Sequence, residues 1–317
     1  MKAAIVREQG TTPVYGEFAW PAATDGQVLV NVSAAALSQL SKFHSMGMHY
    51  SSNLQFPIVA GADGVGRLAD GTRVYFAFPI APYGSLAEQT VVLAHRVIAL
   101  PDHIDDRIAA AIVNPGMSAW AALVYRAGFQ PGQTVLINGA TGSSGSLAVQ
   151  IARYLGAGTI IVTGRDESKL SKLNADAVVA FDMTAEGGDR AFADALKPVV
   201  AGGVDVVLDY LWGDSAVAIM SSIAQTIEGK VTRFISIGTS AGQEMINLPS
   251  TILRGSSIEL LGSGGRSVAP AHMLASARSV LELAAQGVIH ISIAEYALEE
   301  VERAWQAPLT PRPVIRI

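Results

Sequence analysis

The sequence predicts an α/β protein with two parts, a β-rich part followed by a doubly wound sheet of mostly parallel strands. Short apolar runs separated by turn residues precede Ile108, and this is the pattern of an antiparallel barrel or sandwich. From Ile108 onward, apolar runs alternate with stretches of helical period. That alternation favours a parallel sheet covered by helices on both faces, with right-handed crossovers.

The composition restricts the class of protein. The chain has 317 residues, of which 50% are hydrophobic and 15% charged, and this is ample for sizeable cores. A formal charge of -5 and an even scatter of basic residues argue against nucleic acid as a partner. A charged start, MKAAIVREQG, and the lack of an apolar run of about 18 to 20 residues argue against a signal peptide and a membrane partner. We therefore expect a cytoplasmic protein.

Metal and thiol chemistry are not expected from this sequence. The chain contains no cysteine, which excludes disulfides, thiolate catalysis and cysteine-ligated metal sites. His44 and His49 lie close in sequence, but no pair of histidines shows the i, i+4 spacing with a nearby glutamate that a helical zinc site uses. We therefore predict no metal site.

The β-rich part has clear strand and turn signals. Asp25-Gly26 and Asp70-Gly71 are the residue pairs of tight turns. Apolar or alternating runs predict strands at residues 2–6, 28–32, 65–68, 73–78 and 89–92.

The second part begins with the alanine-rich stretch 109–126, which predicts a helix broken at Asn114-Pro115-Gly116. A last helix at 269–285 leads to strands at 291–294 and 314–317, which we expect to return to the first part. Between these stretches, strands are predicted at residues 135–137, 159–163, 177–180, 204–208, 234–237 and 258–261, and helices near 144–155, 167–173, 190–200 and 214–225.

The sequence TVLINGATGSSG, residues 134–145, combines an apolar strand with three glycines spaced three apart. A helix should follow and end where Gly156 can adopt a left-handed cap. Glycines let the backbone approach a pyrophosphate, and the N-terminus of the helix attracts its charge. A glycine-rich loop between any strand and helix has the same spacing. The hypothesis is a dinucleotide turn in which Gly139 shapes the loop, Gly145 lets the helix sit close to the strand, and the pyrophosphate meets the N–H groups of Gly142, Ser143 and Ser144.

Six motifs follow one another along the chain: GADGVG (61–66), NPGMSAW (114–120), NGATGSSG (138–145), VDVVLDY (204–210), SIGTSAG (236–242) and LLGSGG (260–265). Taken together in this order, they resemble the motifs of the medium-chain dehydrogenase/reductase superfamily, in its zinc-independent, quinone oxidoreductase-like branch. The resemblance implies a GroES-like β-barrel catalytic domain, a Rossmann domain, an active site in the cleft and, in many members, a homodimer formed through the last Rossmann strand. We therefore predict a catalytic domain at residues 1–112 and 267–317 and a Rossmann domain at 113–266.

The departures from the family are informative. Zinc-dependent relatives have metal ligands near the positions of Ser38, Ala62 and Asn114, and these side chains cannot hold zinc tightly. Asp63 replaces the common glutamate. A zinc alcohol dehydrogenase is therefore excluded on ligand chemistry.

The end of the second Rossmann strand indicates which dinucleotide is bound. Gly164 stands where an NAD-type acid is expected, and Arg165 and Lys169 can approach a 2′-phosphate. Asp166 is explained as the N-cap of the next helix. The alternative for Arg165 is that it is an ordinary solvated surface charge. By resemblance, quinone reductases have a tyrosine near the position of Phe181 that helps to bind the cofactor, and this chain lacks it. We favour NADP(H) over NAD(H); by resemblance, the cofactor also contacts Ser118, Gly238, Thr239, Ser263 and Gly264.

The chemistry follows from the resemblance and from the missing zinc. Hydride addition to a quinone, enone or enal gives a delocalised anion that demands less stabilisation than an alkoxide. We therefore expect a small hydrophobic electrophile as substrate, with an enoyl-thioester reductase as the alternative. By resemblance, Tyr50 lines the active site and Ser38 and Ser41 flank the nicotinamide; Tyr50 could also pack at the barrel edge, and the serines could simply cap a turn.

Two functions of other classes remain open. Residues 238–242 match the G-x-S-x-G pattern of a nucleophile elbow, which would make Ser240 the nucleophile of a hydrolase. An elbow requires an immediate helix, and residues 243–249 show no helical period. The other possibility is a non-catalytic protein that binds the cofactor.

Overall fold

The computed structural model describes residues 1–48 and 54–317, and the described chain divides into two compact units. The first unit comprises Met1–Asn114 with Ala277–Ile317, and the second comprises Pro115–Ser276. The sequence-based division into functional domains at 112/113 and 266/267 stays a prediction.

The first unit is built mostly from short strands, as its apolar runs predict. Gly26 and Gly71 adopt φ of +77° and +88°, the left-handed conformation that both predicted turns require. Within β3, Val30 and Val32 are buried whereas Asn31 between them is exposed, so the strand buries one face. The elements are β1 (Lys2–Val6), β2 (Val14–Glu17), β3 (Gln27–Ala36), α1 (Gln39–Ser45), β4 (Ile58–Val59), β5 (Asp63–Arg67), β6 (Arg73–Ala77), β7 (Gln89–Leu93) and β8 (Val97–Ala99).

The next helix differs from the prediction. Helix α2 (Asp106–Trp120) runs through Pro115 without a break and continues as a π-helical segment, Ala121–Arg126. Ile112, Val113 and Ala119 are fully buried, so tertiary packing outweighs the helix-breaking tendency of proline. The combined stretch is long and apolar enough to cross a membrane, but 61% of its apolar window is buried in the protein, as is usual for a core helix.

The second unit alternates strands and helices, which confirms the predicted α/β pattern. Gly156 follows α3 with φ of +87°, as the predicted cap requires. The elements are β9 (Thr134–Asn138), α3 (Ser143–Tyr154), β10 (Thr159–Gly164), α4 (Glu167–Leu170), β11 (Ala177–Ala180), α5 (Gly188–Val200), β12 (Val206–Asp209), α6 (Gly213–Thr226), β13 (Thr232–Ser236), α7 (Ser250–Arg254) and β14 (Ile258–Gly262).

Within the described part of the second unit, six strands form one parallel sheet in the order β11-β10-β9-β12-β13-β14. The strand order reverses between β9 and β12, where Asn138 lies opposite Asp209. The core of this sheet contains Leu136, Val207 and Phe234, all fully buried. The predicted doubly wound sheet is confirmed, and its switch point lies at the carboxyl ends of β9 and β12.

The chain then passes through α8 (Pro270–Ala285), β15 (Ile293–Ala297), α9 (Val301–Gln306) and β16 (Arg312–Arg316). Strand β16 pairs antiparallel with β3, so the C-terminal segment returns to the first unit as predicted. Strand β15 begins later than the predicted 291–294 because its partner β16 begins only at Arg312, which lies opposite Ile293.

The described residues of the first unit form two sheets through these pairings. One has the order β2-β1-β4, and the other runs β15-β16-β3-β5-β6-β8, with β7 paired to β3. Among the described residues, the strands of the larger sheet form an open row from β15 to β8. The closure of this sheet into a barrel therefore stays a prediction.

Candidate functional site

The glycine turn predicted from the sequence lies between β9 and α3 at the switch point of the parallel sheet. Gly139 has φ of +88°, and a Cβ there would approach Leu211 to 2.9 Å. A Cβ on Gly145 would lie 2.4 Å from the Gly139 carbonyl oxygen, so only glycine lets α3 pack this close. Gly142 is different: its nearest neighbour would be 3.6 Å away. Gly139 and Gly145 are needed by the fold, whereas the missing side chain at Gly142 leaves the turn open.

A buried polar network lies beside this turn, at the ends of three neighbouring strands. Asn138 donates from Nδ2 to Asp209 Oδ1 at 2.8 Å and to Ser215 Oγ at 3.0 Å. Thr163 Oγ1 donates to Asn138 Oδ1 at 2.7 Å. All four side chains are buried. Burial raises the pKa of Asp209 to about 6, although the hydrogen bonds that it accepts oppose the shift.

The Asp209 carboxylate also holds the turn that follows β12. The N–H groups of Leu211 and Trp212 both donate to it, at 3.1 Å. Trp212 has φ of 61° and ψ of -159°, a combination that side-chain-bearing residues rarely adopt. The VDVVLDY motif contains this aspartate, but its role was missed by sequence reasoning; an acid that directly follows three apolar strand residues is the signal that could have found it.

The residues expected to select the dinucleotide lie at the end of β10. Gly164 is buried, and a Cβ there would make only ordinary contacts, from 3.4 Å. The structure confirms Asp166 as the N-cap of α4, since its side chain accepts from the Lys169 N–H at 3.0 Å. Lys169 Nζ also lies 3.2 Å from the Asp166 carboxylate. Arg165 is exposed and has no ion-pair partner among the described residues.

The remaining cofactor candidates lie in the second unit as well. Ser118 is half-buried, and its hydroxyl donates to the Pro115 carbonyl at 2.7 Å. Gly238 and Thr239 follow β13, and Ser263 and Gly264 follow β14. The carboxyl ends of parallel strands meet at one edge of a sheet, so the candidates that follow β9, β10, β13 and β14 share this edge. Their contacts with a cofactor stay a prediction.

The catalytic candidates Ser38 and Ser41 lie in the first unit, at the start of α1. Ser38 is the N-cap, and its Oγ accepts from the Ser41 N–H at 2.9 Å. The Ser41 Oγ accepts from the Ser38 N–H at 2.6 Å and donates to the Ser38 carbonyl at 3.0 Å. This capping box is the structural alternative that the sequence left open, and it accounts for both hydroxyls. Tyr50 lies outside the described residues, and the catalytic roles stay predictions.

A second buried charged cluster, in the first unit, was missed by sequence reasoning. Tyr75 Oη donates to Asp63 Oδ2 at 2.9 Å, and Arg312 provides a buried positive charge nearby. Burial raises the pKa of Asp63 to about 6, opposed by Arg312 and by the tyrosine. Within the described ranges, Asp63 Oδ1 and the Nε and Nη2 atoms of Arg312 have no hydrogen-bond partner. No local signal links these residues, since they come from three separate strands.

Neither a metal centre nor a nucleophile elbow is seen in the described chain. No group of three His, Cys, Asp or Glu side chains in residues 1–48 and 54–317 could hold a metal ion. Ser240 is exposed, and residues 243–249 after it are irregular until α7 begins at Ser250. An elbow places its serine between a strand and an immediate helix, so the hydrolase hypothesis for Ser240 is wrong.

The chain is similar in sequence to known quinone reductases over most of its length. No protein-family model matches. The "Probable NADPH-dependent quinone reductase tdiC" of Emericella nidulans is 28% identical over 334 aligned positions, covering 93% of both chains. The quinone oxidoreductase of Homo sapiens is 29% identical over 225 positions, which cover 67% of this chain and 66% of the human one.

The solved structures agree in fold. The quinone oxidoreductase of Thermus thermophilus superposes with a TM-score of 0.79 at 24% identity, with full coverage of both chains. At this identity the likeness concerns the fold. The sequence relatives add a similarity in sequence to this similarity in fold, because the match to the Emericella nidulans protein spans both units described above. The chain is therefore similar, across both units, to quinone oxidoreductases, and this similarity supports the predicted relationship to the medium-chain dehydrogenase/reductase superfamily.

Proposed function

We propose that the protein is an NADPH-dependent oxidoreductase that transfers hydride to a quinone or to an activated C=C bond, without a metal. The observation that carries the proposal is the position of the glycine turn at the switch point of the parallel sheet. Ligands of such sheets bind outside the carboxyl ends of the strands at this point. The names of the sequence relatives support NADPH and a quinone.

The chain's own residues would bind and orient the dinucleotide. Gly142 is the N-cap of α3 and carries no side chain that could compete for the N–H groups of the first turn. These groups and the positive end of the helix dipole favour a pyrophosphate. When bound, NADPH would supply the hydride for the reaction. We assign the 2′-phosphate to the exposed guanidinium of Arg165, with Gly164 leaving room for it and Lys169 adding positive charge.

The substrate class rests on the chemistry of the developing charge. A quinone or an enone delocalises the negative charge that arrives with the hydride, so neutral hydrogen-bond donors suffice to stabilise it. Tyr50 stays our proposed hydrogen-bond donor to the oxygen on which this charge develops. Ser38 and Ser41, nearby in sequence, stay our candidates to flank the nicotinamide. An enoyl-thioester reductase is the alternative within the superfamily, and a panel of quinones, 2-alkenals and enoyl thioesters separates the substrate classes.

The cofactor assignment predicts a preference for NADPH over NADH that depends on Arg165. We expect Arg165→Ser to raise the KM for NADPH by roughly tenfold or more, because a charged hydrogen bond to a phosphate is lost, and to leave the KM for NADH unchanged. Initial rates with both cofactors and a quinone measure this. Arg254→Ser, which removes a surface arginine of α7, is the matched control and should change neither value.

The outcomes separate the hypotheses. A wild-type preference for NADH would contradict the NADP(H) assignment. Binding of NADPH without oxidation by any acceptor of the panel would instead favour the non-catalytic alternative.

We further propose that the protein forms a homodimer through β14. This strand is an edge of the parallel sheet, and Leu260 on it is 39% exposed. An edge strand with exposed apolar residues offers both unpaired backbone groups and apolar area to a second copy. We expect sedimentation to give twice the chain mass, and Leu260→Glu to give the monomer. Val178→Glu, on the opposite edge strand β11, should leave the dimer intact, and a monomeric wild type would contradict the proposal.

A further inference from the structure

The irregular loop after β13, residues 237–249, is attached to the turn that follows β12 by a set of specific hydrogen bonds. The Ser240 N–H donates to the Tyr210 carbonyl, and the Ala241 N–H donates to the Leu211 carbonyl, both at 3.1 Å. Trp212 Nε1 donates to the carbonyl of Glu244 at 3.2 Å. The loop therefore follows the backbone of the β12 turn residue by residue, although it has no regular secondary structure.

Gln243 forms the outer end of this attachment. Its Oε1 accepts from the Asp214 N–H at 2.9 Å, and its Nε2 donates to Asp214 Oδ2 at 3.0 Å. A Cβ on Gly213 would lie 2.0 Å from Gln243 Oε1, so the glutamine amide occupies the space that glycine leaves free. Ile246 and Leu248 pack against the core of the second unit. Met245 between these anchors is 90% exposed, so the contacts hold the ends of the segment rather than its tip.

The turn that receives the loop is strained. Trp212 has φ of 61° and ψ of -159°, a region used almost only by glycine. A non-glycine residue in this region carries a conformational cost that its surroundings must offset. Here the Asp209 carboxylate accepts a hydrogen bond from the Trp212 N–H, and the indole Nε1 of Trp212 donates a hydrogen bond to the Glu244 carbonyl. A glycine would avoid the strain but would lose the indole and its bond to the loop.

The loop carries two cofactor candidates, since Gly238 and Thr239 lie two and three residues after the end of β13. Gly238 is packed closely, because a Cβ there would lie 2.9 Å from the Tyr210 carbonyl oxygen. Any movement of the β12 turn would therefore move the first residues of the loop. Long irregular loops in compact units are commonly functional, and this one lies at the edge of the sheet where the dinucleotide turn lies.

We propose that Trp212 and Gln243 are positioning residues that clamp the loop 237–249 to the strained turn after β12, so that Gly238 and Thr239 are preorganised for the cofactor. The inference rests on the proposed function, because the bound group is NADPH. Preorganisation raises affinity by removing the entropy cost of ordering the loop on binding. The clamp therefore acts on cofactor affinity more than on the stability of the core.

The decisive variant is Gln243→Ala, which removes two surface hydrogen bonds without touching the core. We expect the dissociation constant for NADPH to rise roughly five- to tenfold, while the melting temperature falls by no more than about 2 °C. Cleavage after Glu244 by a glutamate-specific protease should become faster in the cofactor-free variant. Gln225→Ala, which removes an exposed glutamine of α6, is the matched control and should change none of the three values.

A pair of variants at Trp212 tests the strain. Trp212→Gly and Trp212→Ala lose the same indole, but only alanine keeps the cost of positive φ, so the glycine variant should melt roughly 2 to 6 °C above the alanine variant. Both should bind NADPH at least as weakly as Gln243→Ala. Equal melting temperatures of the two variants would show that the backbone conformation at position 212 carries no cost.

The failures are distinguishable. A wild type that does not bind NADPH overturns the proposed function and this inference with it. A wild type that binds NADPH, together with a Gln243→Ala variant that is cleaved faster but binds NADPH equally well, overturns only the positioning role.

Discussion

Replacing Asp209 with asparagine is expected to lower the free energy of unfolding by about 2 to 4 kcal/mol at neutral pH. The carboxylate accepts hydrogen bonds from Asn138 Nδ2 and from the N–H groups of Leu211 and Trp212. An amide has one oxygen to offer them, and its own N–H₂ group would face these donors. Urea or thermal unfolding of wild type and variant measures the loss.

The pH dependence gives this prediction a second readout. The pKa of Asp209 is raised by burial from 3.8 to about 6, so between these values the folded state binds more protons than the unfolded state. The contribution of this group to stability is therefore full below about pH 4 and is lost as the pH rises through 6. Asparagine does not titrate. The difference in free energy of unfolding between wild type and variant, called the deficit below, should therefore be larger at pH 5 than at pH 7.5, by about 1 kcal/mol.

The control for Asp209 is Asp189→Asn, an exposed acid in the first turn of α5. It should cost less than about 1 kcal/mol, because only a helix-dipole interaction is weakened. A deficit of Asp209→Asn that shrinks on acidification would contradict the assignment of a raised pKa.

Arg312→Met is expected to lower the free energy of unfolding by about 3 to 5 kcal/mol at pH 8. The guanidinium is buried beside Asp63, and its charge opposes the burial that raises the pKa of that carboxyl to about 6. Without the arginine, the ionised carboxylate is left buried with only the Tyr75 hydroxyl as partner. Denaturant unfolding at several pH values measures the effect.

The deficit of Arg312→Met should shrink as the pH falls. Removing the positive charge moves the folded pKa of Asp63 further above its unfolded value of 3.8, so the variant gains more from protonation than the wild type does. The double variant Asp63→Asn/Arg312→Met should be more stable at pH 8 than Arg312→Met alone. Equal deficits for the single and the double variant would contradict a charge interaction.

The sequence was most informative where local rules and burial agree. In the parallel sheet, apolar runs such as that of β9 are bounded by turn residues, and the structure has strands there. Pro115 shows the opposite case, since helix α2 continues through it. Residues with low helix propensity are tolerated when the packing of their neighbours stabilises the helix, and a local pattern does not report that packing.

The candidate site was predictable in part for a similar reason. Gly139 and Gly145 are required by backbone geometry, and a spacing pattern reports such requirements directly. The Asp209 network and the Asp63 cluster depend on side chains that come together from separate strands. Asp63, Tyr75 and Arg312 lie on β5, β6 and β16, so no window of sequence contains them all. Only the three-dimensional structure could show that these buried charges meet.

The return of β16 to the first unit has a consequence for the order in which the chain folds during synthesis. The ribosome completes all strands of the second unit before it makes β15 and β16, and β16 is the strand that pairs with the Ala34–Ala36 end of β3. Domains fold as units as they emerge, and pairings between distant segments form slowly. While the parallel sheet assembles, the nascent chain therefore holds the Ala34–Ala36 end of β3 without its β16 partner, although β5 and β7 can already pair with β3. This is the interval in which a chaperone that shields strand edges would raise the yield of native protein.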